Sequence, residues 1–221
     1  MKETKNRNIL ITGFASLAAF AVWTVLVKFV DVRAIGPMES NVGFAELNEW
    51  VHNFTGENLA LYDLTDLLSV IPLGLVGGFG VLGLTQLIKR KNLFKVDADI
   101  LVLGGFYIAV LALFLLFEVC VVNYRPVLIE GVLEASYPSS TTMLSMCVLP
   151  TAAMQMNERI KNTALRRGTV WTIHAFTAFM VVSRLISGVH WFTDIIGGAL
   201  LSAGLVMIYH AAVKLIKEKK K

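Results

Sequence analysis

Ser183-Arg184-Leu185-Ile186-Ser187-Gly188-Val189-His190-Trp191-Phe192-Thr193-Asp194 sets an arginine, a histidine and an aspartate at the seam between two long apolar segments, predicted over 168–187 and 192–214. Charged and titratable side chains at a membrane boundary are costly, and those that occur there usually mark function. The stretch offers a nucleophile, an orienting carboxylate and an anion receptor within twelve residues.

The flanking segments belong to a larger set. The chain is 56% hydrophobic and 16% charged, with a mean hydropathy of +0.66, outside the range of soluble globular domains. A helix needs about 20 apolar residues to cross roughly 30 Å of hydrocarbon. Six stretches qualify, over 8–30, 66–88, 99–122, 140–156, 168–187 and 192–214. The fourth is short, diluted by Ser, Thr and Met, and carries Pro150, which a spanning helix tolerates when its neighbours satisfy the backbone. The basic flank of the first, Lys2, Lys5 and Arg7, resembles a secretory signal, but the segment is too long for one and reads as a true span. The expected architecture is all-α, a six-helix integral membrane bundle forming one domain over 1–221.

Sixteen of the twenty Lys and Arg residues fall in four clusters: Lys2, Lys5, Arg7; Lys89, Arg90, Lys91, Lys95; Arg159, Lys161, Arg166, Arg167; and Lys214, Lys217, Lys219, Lys220, Lys221. Six spans place all four on one side. The positive-inside rule makes that side cytoplasmic, together with both termini, in a multi-pass protein of the cell membrane. The net charge of +4 thus reflects the bilayer as partner and not nucleic acid. Arg125, Arg184 and the stretch around His190 then face the extracytoplasmic side. Cys120 and Cys147 lie inside spans, where thiols act as small hydrophobes, and metal-ligand spacings are absent.

The first outer loop, 31–65, carries Phe44, Leu47, Val51 and Phe54 at helical spacing beside Trp50, with Glu46 and Glu49 off the stripe. An amphipathic helix on the membrane surface is predicted there, with His52 as an interfacial side chain. Glycines 74, 77, 78, 80, 197, 198 and 204 are read as sites of close helix packing. Trp191, Tyr124 and Tyr137 suit the headgroup zone.

Two further outer segments carry polar residues, Asn123-Tyr124-Arg125-Pro126 and Tyr137-Pro138-Ser139-Ser140-Thr141-Thr142. With the stretch above, they resemble the three-part signature of the type 2 phosphatidic acid phosphatase (PAP2) family, which shares its active-site architecture with vanadium haloperoxidases. The likeness covers about residues 40 to 205. In the third motif Ser183, Arg184, Gly188, His190 and Asp194 all match. In the first, Arg125-Pro126 match but the family's lysine position holds Glu118. In the second, Pro-Ser-Gly-His is replaced by Pro138-Ser139-Ser140-Thr141.

The resemblance implies a six-span lipid phosphatase without a cofactor or metal, acting on a lipid phosphate. Within it His190 is the nucleophile that forms a phosphohistidine, and Asp194 steadies its imidazole. Arg125 and Arg184 bind the phosphate with Ser139 and Ser140. Ser187-Gly188 is expected to break the fifth span so that the three motif side chains converge.

Thr141 cannot protonate a leaving alkoxide near neutral pH. Either a carboxyl substitutes, with Glu134, Glu130 and Glu118 as candidates, or the substrate is a lipid diphosphate such as a prenyl diphosphate, whose phosphate leaving group departs without much protonation. The diphosphate is slightly favoured. The alternative is a protein that binds lipid phosphates without turnover. Glu118 is equally well read as a structural partner of Arg184, Lys28 or a polar neighbour.

Overall fold

Backbone groups in hydrocarbon find partners only inside a helix, and the apolar segments are helical almost without interruption. The computed structural model describes residues 2–219, with side chains from 6 to 218. Its helices are α1 (Lys2–Phe29), α2 (Ala45–Thr55), α3 (Leu59–Leu68), α4 (Val70–Arg90), α5 (Ala98–Val119), α6 (Ser140–Arg159), α7 (Thr163–Ile186) and α8 (Phe192–Lys219). Asn58, Ser139 and Asn162 cap α3, α6 and α7 by accepting from the amides of Leu61, Thr142 and Leu165, satisfying donors that the first turn leaves open.

Among the described residues, five stretches are long and apolar enough to cross a membrane: Asn6–Phe29, Leu59–Arg90, Ala98–Val119, Thr163–Ile186 and Phe192–Glu218. The protein is therefore a multi-pass membrane protein. The second stretch begins seven residues before the expected 66, because α3 runs into α4 with only a turn at Ser69 between them. Helix α6 is more polar for a physical reason. It faces protein, burying Thr141, Thr142, Ser145, Thr151 and Gln155 along with its apolar residues. Its hydroxyls are used locally, as where Thr151 Oγ1 donates to the Cys147 carbonyl at 2.7 Å.

Helices α1 and α8 pack antiparallel and close. A Cβ at Gly204 would lie 2.7 Å from Leu17 Cδ2, Ser16 Oγ donates to the Leu200 carbonyl at 2.8 Å, and Trp23 Nε1 to that of Thr193 at 3.1 Å. Gly197 and Gly198 likewise admit Tyr137 and Thr142. The α4 glycines do not follow this rule. Gly74, Gly77, Gly78 and Gly80 meet nothing within 4 Å, and Gly80 and Gly83 border an apolar cleft of about 600 Å³ between α4 and α5.

The outer-loop helix forms as expected, but with a different buried face. Ala45, Asn48 and Val51 are buried, whereas Leu47, Trp50 and Phe54 are exposed. The apolar stripe read from sequence is thus split, with Phe44 and Val51 turned inward and Leu47 and Phe54 outward, and a polar residue anchors the inner face. Asn48 Nδ2 donates to the Gly43 carbonyl at 2.8 Å and to Thr193 Oγ1 at 2.9 Å, and its Oδ1 accepts from Thr193 N at 3.1 Å. Fully satisfied, a buried amide fixes α2 on the start of α8.

Helices α1, α5 and α7 end, and α3, α6 and α8 begin, at one end of the bundle, which carries the three motifs. The basic clusters stand at the other end. The side chains of Lys2, Lys5 and Lys219, and residues Lys220 and Lys221, lie outside the described residues.

Candidate functional site

Between α5 and α6 the chain makes a small hairpin. Tyr124 bridges Ala135 and Ile129 bridges Val132, around Glu130 and Gly131, whose φ values of 50° and 78° suit a tight two-residue turn. Arg125 N donates to the Glu134 carbonyl at 3.0 Å and Ser136 N to that of Asn123 at 2.9 Å. The hairpin folds Arg125 inward, where it is buried, with its Nε 2.9 Å from Glu134 Oε2.

Helix α7 stops at Ile186, and Gly188 turns the chain with φ +70°, as its sequence position suggested. Only glycine serves here, since a Cβ would fall 2.1 Å from the Gly56 carbonyl oxygen. His190 follows, then α8. Asp194 lies one turn into α8, with Oδ2 accepting from Trp191 N at 2.9 Å and Oδ1 3.5 Å from Asn123 Nδ2. Asp194 is wholly buried and His190 nearly so.

Arg125 Nη1 stands 3.3 Å from His190 Nε2. A guanidinium offers only hydrogens, so the contact requires a lone pair on Nε2 and assigns the ring proton to Nδ1. Nδ1 faces Asp194 Oδ2 at 3.7 Å, too long for a hydrogen bond but close enough to steady a developing imidazolium. Burial holds the imidazole well below its ordinary value of 6.5, and the charges of Arg125 and then Arg184 act in the same direction, against a smaller opposing effect of the Ser136 backbone. The ring is thus neutral, with its free lone pair at Nε2.

A stability prediction follows from the sign of that shift. Below pH 6.5 the unfolded chain takes up a proton that folded His190 refuses, so stability present above 6.5 is lost as pH falls through this value toward the lowered one. The melting temperature in detergent is expected to drop between pH 7 and 5, and to drop less in His190→Asn. Equal drops in both proteins would contradict the assignment.

Arg184 does not join this cluster directly. It is 1% exposed, with Nη1 donating to Thr65 Oγ1 at 3.0 Å and to the Tyr62 carbonyl at 3.3 Å, and Nη2 to Asp66 Oδ1 at 3.2 Å. Its guanidinium carbon lies 4.6 Å from the centroid of the Tyr62 ring, and that of Arg125 lies 5.9 Å from the same ring. Tyr62 therefore sits between the two arginines, a geometry suited to cation–π attraction. Tyr62, Thr65 and Asp66 were not singled out from sequence because the outer loop was expected to run to 65. A carboxylate at the first turns of a long apolar helix was the available signal.

The second motif divides. Ser139 is buried, and its Oγ accepts from Thr142 N at 3.4 Å while its amide donates to the Asp194 carbonyl at 3.1 Å. Its hydroxyl thus caps α6. Ser140 and Thr141 line a cleft of about 430 Å³ between α4, α5 and α6, together with Asp66, Ser69, Leu73, Val110 and Leu144.

The three carboxylates considered as acids are differently placed. Glu134 is held by Arg125, Glu130 is exposed at the hairpin tip, and Glu118 borders a small pocket with Ser136, Tyr137, Pro138 and Ser140. The ion partner of Arg184 is Asp66 and not Glu118.

Two aromatic residues expected in the headgroup zone are core residues instead. Trp191 is 3% exposed and Tyr137 2%. Trp191 Nε1 donates to the Tyr124 carbonyl at 2.7 Å, and Tyr137 Oη lies 2.7 Å from Thr24 Oγ1. His52 packs on Trp191 with ring centroids 5.5 Å apart. Among the described residues no group of three or more His, Cys, Asp or Glu side chains is arranged to hold a metal ion.

No curated protein matches the chain. A transmembrane PAP2 type phosphatidylglycerolphosphate phosphatase from Bacillus subtilis has a similar crystal structure, with 18% identity, a TM-score of 0.63, and coverage of 95% of this chain and 97% of that one. At that identity the likeness establishes the fold, all-helical and of the PAP2 membrane phosphatase kind. Residues 119–217 match the family model described as PAP2 superfamily, a span that holds Arg125, the second motif, His190 and Asp194. Over these residues the chain is thus similar to the PAP2 superfamily, and its fold is that of a PAP2 membrane phosphatase.

Proposed function

We propose that this protein is a membrane lipid phosphatase that hydrolyses a lipid phosphate or lipid diphosphate at the extracytoplasmic face through a phosphohistidine on His190. The observation that carries the reading is the dry contact of Arg125 Nη1 with the lone pair of His190 Nε2, with Asp194 behind the ring. A neutral imidazole aimed at a guanidinium is aimed at where a phosphate would bind. When phosphate takes the guanidinium, Nε2 faces phosphorus.

Attack at phosphorus forms the P–N bond as the leaving oxygen departs, and Asp194 stabilises the charged ring. Water then cleaves the phosphohistidine, so one difficult displacement becomes two easier ones. Arg125 and Arg184 neutralise the equatorial oxygens. The two clefts share Val76, Tyr107 and Leu111, so that polar Asp66 and Thr141 adjoin an apolar lining along glycine-rich α4, which suits a lipid tail entering sideways. The reading takes 1–221 as one domain with both termini cytoplasmic, in keeping with the basic clusters.

The test is a phosphate-release panel on detergent-purified protein, comparing phosphatidic acid, phosphatidylglycerolphosphate and a prenyl diphosphate. Release is expected from the diphosphate and, somewhat more slowly, from the monoesters. Binding of these lipids with no release from any would favour the non-catalytic alternative.

A further inference from the structure

The second motif lacks the histidine that would protonate a leaving alkoxide, and Thr141 stands in its place. Of the carboxylates near it, Glu134 is engaged by Arg125 Nε, Asp194 is sealed behind His190, Glu130 is at the exposed hairpin tip, and Glu118 lines a smaller pocket that adjoins the cleft at Ser140. Asp66 differs from all four. It borders the cleft that Ser140 and Thr141 line, it touches the phosphate-binding candidate Arg184 at 3.2 Å, and its side chain is 63% exposed there while Arg184 is almost wholly covered.

We propose that Asp66, reaching from α3 into the cleft at Thr141, is the proton donor to the leaving alcohol, replacing the absent second-motif histidine. This rests on the phosphohydrolase reading. In the resting protein Asp66 occupies a donor of Arg184 that a phosphate would use. A phosphate monoester arriving as its monoanion takes over that donor and brings its own proton beside the Asp66 carboxylate. Asp66 passes that proton to the ester oxygen as the P–O bond breaks.

The chemistry balances. His190 Nε2 bonds to phosphorus as the P–O bond to the lipid alcohol breaks. The electron pair leaves on oxygen, which takes the Asp66 proton, and the alcohol departs neutral. Asp66 carboxylate then accepts a proton from the water that attacks phosphorus. The P–N electrons return to Nε2, and inorganic phosphate leaves.

Asp66→Asn keeps an oxygen that accepts from Arg184 but removes the proton-carrying carboxylate and with it the charge paired with that arginine. Cleavage of phosphatidic acid is expected to fall by about 100-fold or more, the usual scale of general acid catalysis, while release from a prenyl diphosphate changes by less than about threefold. Adding Thr141→His to the Asp66→Asn protein should restore the monoester reaction.

Equal losses on both substrates would make Asp66 a positioning residue for Arg184 and overturn the proposal, as would no loss on either. A measurement on the unaltered protein is independent of how variants fold. Rates across aryl phosphates are expected to depend weakly on the leaving-group acidity, and a steep dependence would overturn the assignment. If the unaltered protein releases phosphate from no substrate, the phosphohydrolase reading fails and this one with it.

Discussion

Replacing His190 by alanine is expected to lower phosphate release from every substrate by about 10⁴-fold or more, as loss of a covalent nucleophile does. The side chain is nearly dry and makes one polar contact with Arg125, so its removal leaves a space that a water molecule can fill beside the guanidinium. The fold has other ties at this end, notably Asn48 to Thr193 and Trp191 to Tyr124, and helical content should be unchanged. Lipid phosphate binding should persist, since Arg125 loses only a neutral partner. Brief acid-free quenching of the unaltered protein with radiolabelled substrate should trap phosphate on the chain, and the variant should trap none. A variant that releases phosphate at the normal rate would remove His190 from the reaction altogether.

The second large effect is structural. Gly188→Ala places a methyl group 2.1 Å from the Gly56 carbonyl oxygen at a residue with φ +70°. The left-handed conformation alone costs a non-glycine residue about 1–2 kcal/mol. The clash adds to this, because the carbonyl is backbone and the methyl is fixed rigidly to the backbone, so neither can swing away. The Gly56–Asn58 segment would have to part from the α7–α8 turn, breaking the bond from Asn58 N to the Ser187 carbonyl at 3.0 Å.

A total of about 3 kcal/mol corresponds to a melting temperature lower by roughly 6–12 °C in a chain of this size. Activity should fall too, since the turn carries His190. Gly131→Ala is the control. Its φ is +78°, but nothing lies within 4 Å of the added carbon, so only the conformational part is felt. Equal effects of the two substitutions would show that the contact with Gly56 is not tight in solution.

The helical membrane architecture and the α7–α8 end of the candidate site were legible because both are local. Apolar runs announce helices, and Gly188, His190 and Asp194 lie within one turn and its following helix. Arg125 was legible through its motif. What was not legible depends on contacts between distant segments. The polar makeup of α6 weakened it as a span, because composition does not say that its neighbours are protein. Half of the apolar stripe on α2, Leu47 and Phe54, points outward since the buried side is chosen by Asn48 and Thr193, 145 positions apart. Trp191 and Tyr137 have headgroup-zone chemistry, yet a glycine at 197 and carbonyls at 124 and 193 drew them and Trp23 into the interior. Asp66 reads as an ordinary acidic residue until α7 brings Arg184 to it.

The bonds of Asn48 set an order of events during synthesis. Asn48 meets Thr193, Asp66 meets Arg184, and Arg125 meets His190, across 145, 118 and 65 residues. None of these pairs can exist until the ribosome has delivered α7 and the turn into α8, and long-range closures of this kind are slow. The first six helices therefore reach the bilayer with a hairpin, an outer helix and an acidic turn that have nothing to grip. The chain stays inert through most of its own translation, and arrival of α8 completes the fold and the site together.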